Sequence, residues 1–495
     1  MTMHADITGT GYYRVKNYGS SRWASLVDNA GDLDLVAASA DLHALNLTKD
    51  SEMIMSDPGS IVFIKKVSGN QYDVAAQGTS LQALIDHPIN IGPDGTADGQ
   101  TLYRIWGTLK GVTRYIADGN IITSDEEGFA TIKETSNVNF MKWLILPVDV
   151  TSSDNFFGTV PNVTVNDNLY TTLFSSFSYK PYSDGVKAYY IGRVGFGMAE
   201  MIEIDGDVPA GSPVIIQCAG TNVSDNKLQL SSSEDALPNN SLQGVYFNYK
   251  YNNIVNQVVY DPDTMRVLGV CSDGSLGFVT ANIATIPANS AYLKVPPGSL
   301  PEFKCVTTNQ YEANLSEAPE IFYYGNSQMI LPQDDYNYTG TLEIAAPEGN
   351  NKNVSIQFTT YSGSDEKVIG PYNPVDTNLT FDNSKSQSFP FSYNSKNSWI
   401  LPNWEGGQID VTINILYQSV TFSAKSAGIE SIISSNKGIH YSDNMVYTDS
   451  YSDIKIYNIS GEAVLKGSGT SLDISSLTKG IYIATANGES IKIVR

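Results

Sequence analysis

The chain alternates between short apolar runs and polar breaks, and almost nowhere repeats at the period of a helix. Runs rich in Val, Ile, Tyr, Thr and Phe return roughly every ten residues, and Gly, Asn, Asp and Ser fill the breaks between them. This pattern predicts an all-β, multi-domain chain of barrels and sandwiches. A length of 495 residues is too great for one core. The pattern divides into four blocks, 1–152, 160–305, 316–424 and 428–495.

In 1–152 an aromatic-centred strand, a polar turn and a second aromatic strand recur. Tyr12-Tyr13-Arg14-Val15 precedes Arg22-Trp23-Ala24, Val62-Phe63-Ile64 precedes Gln71-Tyr72-Asp73, and Leu102-Tyr103-Arg104-Ile105-Trp106 precedes Thr113-Arg114-Tyr115. One hairpin cannot bury its own face, but several around an axis can. In 160–305, Val208-Pro209-Ala210-Gly211-Ser212-Pro213-Val214 is echoed by Ile286-Pro287-Ala288-Asn289-Ser290-Ala291-Tyr292, each a turn feeding a buried strand. In 428–495 the alternation of two is plainest, through Ile454-Lys455-Ile456-Tyr457-Asn458, Leu472-Asp473-Ile474, Gly480-Ile481-Tyr482 and Ile491-Lys492-Ile493.

These patterns carry four resemblances. The 1–152 block resembles a β-trefoil of the ricin-B lectin type. The 160–305 block looks like an all-β module common in large surface proteins of Bacteroidota. In 316–424, Phe322-Tyr323-Tyr324-Gly325, Asn337-Tyr338-Thr339-Gly340, Ile369-Gly370-Pro371-Tyr372, Trp399-Ile400 and Gly406-Gly407-Gln408-Ile409 stand in the order of starch-binding β-sandwich modules from starch-utilisation systems. In 428–495, Ile454 to Gly461, Asp473 to Tyr482 and the terminal Lys492-Ile493-Val494-Arg495 follow the small β-sandwich that sorts cargo for type IX secretion. The last resemblance implies a secreted or outer-membrane surface protein and the export machinery as a partner.

Charge narrows the other partners. Thirty Lys and Arg face 52 Asp and Glu, a net charge of −22, which repels nucleic acid and anionic lipid. Cys218, Cys271 and Cys305 stand in apolar strand contexts, so they read as small buried hydrophobes; at most one disulfide is expected. No cofactor or metal site is expected. The acidic turn Asp28 to Asp34 lacks the spacing of a calcium loop and reads as solvated.

Four histidines lie far apart and in no catalytic motif, and no phosphate loop appears, so no catalytic residue is assigned. A carboxylate pair for glycoside hydrolysis needs no sequence signature, which keeps a polysaccharide-degrading hydrolase as an alternative. Aromatic rings offer flat apolar area that sugars can stack on. Trp404, in a loop after Leu-Pro-Asn and before Glu-Gly-Gly, is the expected ligand-binding residue, with Tyr323, Tyr336, Tyr338 and Tyr372 extending its surface. Trp399, inside a strand, reads as core. The expected function is glycan binding without catalysis, with a structural or host-protein-binding role as the other alternative.

Overall fold

The computed structural model describes residues 7, 9–26, 45–48, 51–75, 89–109, 112–118, 129–132, 138–232, 237–251, 254–315, 318–325, 327–362, 365–372, 377–382, 384–424, 439–442, 444–458, 463–486 and 489–494. The acidic turn 28–34 lies outside them. Among the described residues helix is limited to short turns such as Ser51–Met55 and Thr308–Ala313, and the rest is strand and loop. The chain forms two compact units, a body of residues 1–423 and a tail of residues 424–495.

The body opens with strands β1 (Gly11–Asn17), β2 (Trp23–Leu26), β3 (Leu45–Thr48), β4 (Ile61–Ser68), β5 (Gln71–Ala75), β6 (Ile89–Ala97), β7 (Gln100–Leu109), β8 (Val112–Asp118), β9 (Phe129–Ile132) and β10 (Trp143–Pro147). Six of them pair in a closed ring: β1 with β4, β4 with β5, β5 with β6, β6 with β7, β7 with β10, and β10 back to β1. The alternation turns Tyr13, Val15, Ile64, Val74, Ile91, Ile105 and Trp143 into one core. Two further strand pairs, β2 with β3 and β8 with β9, stand outside the ring. The segment between β5 and β6, 76–88, lies outside the described residues.

The next part of the body is a ten-stranded open sheet with one parallel pair, Met198–Glu203 beside Glu302–Val306, and a smaller three-stranded sheet. The echo seen in the sequence has a conformational cause. Gly211 and Asn289 occupy equivalent places and both take a left-handed backbone, with φ of 69° and 57°. Gly and Asn are the residues that adopt this region at least cost. Val208 and Ile286, which open the two turns, are fully buried. All three cysteines are free thiols, and burial pushes Cys218 up to about 12 and Cys271 up to about 11.

The 316–424 block was expected as a sandwich. Its main sheet instead closes into an eight-stranded barrel. Phe322–Tyr324 pairs with Gln328–Pro332 on one side and with Phe358–Ser362 on the other, so no edge is left open. Alternation cannot separate the two forms, because both bury one face of each strand. Phe322, Phe358, Phe391 and Phe422 fill the barrel, with Trp399 fully buried among them from a separate three-stranded sheet.

Seams within the body are chemically specific. The buried Arg14 guanidinium donates from Nε to Ser60 Oγ (2.7 Å) and from Nη1 to Asn155 Oδ1 (3.0 Å) and the Phe156 carbonyl (2.5 Å). Burial lowers its pKa to about 9. Nearby Asp57 accepts from Ser25, from the Gly59 amide (2.8 Å) and from Asn289 Nδ2 (3.1 Å). At a second seam the Phe196 amide donates to the Leu416 carbonyl (2.6 Å), and Leu300 donates to the Tyr417 carbonyl (3.2 Å).

In the tail, Met445–Asn458 is a long strand that pairs with Ile439–Ser442, Ala463–Asp473 and Ile481–Ala486, and Glu489–Val494 completes the sheet. The expected small sandwich is a single hydrogen-bonded sheet of five strands. Its register shifts between Tyr447 and Ser452, and Ile439, Val446, Ile454, Ile456 and Ile493 share one core.

Candidate functional site

The expected centre of the binding surface is buried. Trp404 is only 7% exposed, its Nε1 donates to the Ile344 carbonyl (2.9 Å), and its ring joins the barrel core. Asn403, Gly406 and Gly407 all take positive φ, and this tight turn folds the indole back onto the barrel. An exposed stacking face at Trp404 is therefore corrected to a packing role. Trp399 is fully buried, as its strand context predicts.

The four tyrosines do not form one surface. Tyr338 is buried against Phe322 (ring centroids 4.8 Å apart), and its hydroxyl donates to the Pro319 carbonyl. Tyr372 is half-buried against the core of the open sheet, and burial, reinforced by nearby Glu302, raises its pKa. Tyr336 is exposed on one side and meets Phe196 edge-on at 6.4 Å on the other. The last two lie at the seam between the open sheet and the barrel. Tyr323 alone of the four lies on the barrel's outer wall.

Tyr323 has company that sequence reasoning missed. Its ring meets Tyr361 at 6.1 Å, inclined at 73°. Met329 stands directly opposite Tyr323 on the next strand, and Leu331 follows two residues on. Tyr361, Met329 and Leu331 are each about half exposed, at 50%, 52% and 49%. The phase of the strands explains this. Phe358 and Thr360 point inward, which sends Tyr361 out, and buried Ile330 sends both of its neighbours out. The result is a stripe of two aromatic and two aliphatic side chains across three adjacent strands. Exposed apolar groups in a row mark interaction surfaces more often than scattered ones do.

The stripe carries little charge. Glu366 lies opposite Tyr361 and Lys367 stacks over Tyr393 at 5.6 Å. Among the described residues no group of three or more His, Cys, Asp or Glu is placed to hold a metal ion. Chemically, the surface can exclude water from a flat apolar ligand face and offer two phenolic hydroxyls at its rim.

Comparison with known proteins bears mainly on the tail. No curated protein matches the chain. One solved structure, titled "Biofilm associated protein - BSP domain", aligns over 99% of this chain and 88% of its own, with 12% identity and a TM-score of 0.11. That score carries no argument about fold or function. Residues 435–495 match the family model described as a secretion system C-terminal sorting domain. The pieces of that pattern have clear places in the tail. Ile454, Ile456 and Ile474 are fully buried, and Tyr482 is buried with its hydroxyl donating to the Thr478 carbonyl (2.9 Å). The chain ends in a type IX sorting domain, and the protein is secreted and attached at the cell surface.

Proposed function

We propose that the body binds a glycan at the cell surface and performs no catalysis. The observation that carries this reading is the stripe of Tyr361, Tyr323, Met329 and Leu331 on the barrel wall. Pyranose rings present C–H faces, and tyrosine covers such a face at low entropic cost while its hydroxyl stays wet. The net charge of −22 disfavours a polyanionic ligand, so a neutral polysaccharide is the fitting class. The closed six-strand ring of β1–β10, with two strand pairs outside it, supports reading the first block as a β-trefoil.

Affinity gels cast with starch, dextran or mannan test the reading. The wild-type protein should be retarded in at least one. Tyr361→Ala and Tyr323→Ala should each weaken retardation roughly fivefold to tenfold, as about 1 kcal/mol per ring implies. Unchanged migration of wild type in every gel removes the glycan assignment. In that case the same apolar stripe favours the second reading, a surface that docks a host or neighbouring protein.

A further inference from the structure

A second cluster lies on β6, β7 and β8, away from the barrel stripe. Trp106 and Tyr115 stand directly opposite each other on β7 and β8, with ring centroids 6.3 Å apart. The far edge of the Trp106 six-membered ring reaches across to Gly92 on β6. A Cβ there would lie 2.8 Å from that ring, so only glycine leaves room for it. Both rings are half-buried and keep part of their surface in solvent.

Polar groups flank the rings. Arg104 lies over the Tyr115 ring, with its Cζ 5.3 Å from the centroid. Its Nε donates to Asp94 Oδ2 (2.6 Å). Lys142 Nζ donates to the Asp94 carbonyl (3.0 Å) and stands 3.5 Å from the same Oδ2. Both cations reach the carboxylate through Oδ2, and the Asp94 side chain is 30% exposed. The fold has thus placed two aromatic faces, a braced carboxylate and an ammonium together on one patch.

We propose that Trp106, Tyr115, Asp94 and Lys142 form a second carbohydrate subsite, which takes one neutral pyranose residue. The C–H face of the sugar packs on Trp106. Vicinal hydroxyls donate to Asp94 and accept from Lys142, exchanging water for charge-assisted bonds. A polyuronic acid is disfavoured, because the body carries a net charge of −22. The subsite shares the ligand class of the proposed function but none of its residues.

Trp106 also supplies a reporter. The other four tryptophans, Trp23, Trp143, Trp399 and Trp404, are 7% exposed or less. N-Bromosuccinimide should therefore oxidise Trp106 first in the folded protein, read as a mass shift on its peptide. Hexasaccharides of starch, dextran and mannan serve as neutral probes, and a galacturonic acid hexamer as the acidic one. At least one neutral probe should slow Trp106 oxidation fivefold or more. That protection should survive Tyr361→Ala, and Asp94→Asn should reduce it severalfold while leaving the sugar-free oxidation rate unchanged. A probe whose polymer retards the protein in gels but leaves Trp106 unprotected overturns the subsite and spares the barrel stripe. Protection by the galacturonic acid hexamer alone overturns the neutral class. Unaltered protection in Asp94→Asn overturns the polar half of the site. Neither retardation nor protection by any glycan overturns both readings.

Discussion

In the body, residues 1–423, the sheets are joined by seams that hold charge: a buried arginine held by Ser60, Asn155 and a carbonyl, with Asp57 close by. In the tail, the single core is Ile, Val, Ala and one Tyr. Net charge divides the same way. Residues 424–495 hold seven Lys and Arg and seven Asp and Glu, so the whole −22 belongs to the body. The passenger carries the solubility and the specific polar junctions. The sorting segment carries no net charge of its own.

The largest effect that would test this division is on location. Removing 424–495 should abolish surface display in a host with a type IX apparatus and leave the protein in the periplasm, as scored by protease shaving of whole cells. The remaining body should melt within a degree or two of its transition in the full chain. Normal display of the truncated protein would break the comparison.

Next in size are the buried anchors of the body. Trp399→Ala and Trp404→Ala should each cost roughly 3–5 kcal/mol in denaturant unfolding. Arg14→Ala should cost about as much, since it strands the buried partners of a charged group. The tail, having no such group among its buried described residues, should unfold unchanged in all three variants. A Trp404→Ala protein of wild-type stability would return that ring to the surface.

The tail was the part most readable in the sequence. Its strands alternate plainly, and some of its contacts are local, as with Tyr482 and Thr478 four apart. The body was readable as strands but not as seams. The bond from Trp404 to the Ile344 carbonyl spans 60 residues, and the packing of Tyr336 on Phe196 spans 140. Nothing local distinguishes a loop tryptophan in solvent from one folded back onto a core. Ring closure was equally hidden, because closing or opening a sheet leaves the alternation of each strand unchanged. Tyr361 could have been found, since Phe358 and Thr360 fix its phase, and so could the pairing of Trp106 with Tyr115 across a short turn.

The smallest predicted effect is a pH dependence within the body. Arg193 holds the Glu200 carboxyl below the usual carboxylate range, through hydrogen bonds of 2.7 and 3.0 Å. A depressed carboxyl stabilises the fold above its unfolded pKa of about 4.3, and that contribution is lost as pH falls through the lower folded value. Arg193 is half exposed, so solvent screening limits the effect to about 0.5–1 kcal/mol. Glu200→Gln should flatten the acid limb of the stability profile by that amount. Asp57, pushed up by burial, has the opposite sign: its contribution is present in acid and fades as pH rises through its folded value. An unchanged acid limb in Glu200→Gln would place the acid sensitivity of the body elsewhere.

The closed rings have a consequence for life at a crowded surface. A strand with a free edge is a template on which another copy can add its own strand, and display packs many copies side by side. The barrel has no such edge, and around the first ring the free strands are β3 and β9, the outer members of the two pairs that stand outside it, each four residues long. The open sheet between ring and barrel ends on Val163–Val165 and Leu242–Val245, three and four residues long. Among the described residues the free edge strands of the body are at most four residues long, which leaves neighbouring bodies little backbone with which to zip together and leaves the exposed side chains as the main surface through which they meet anything else.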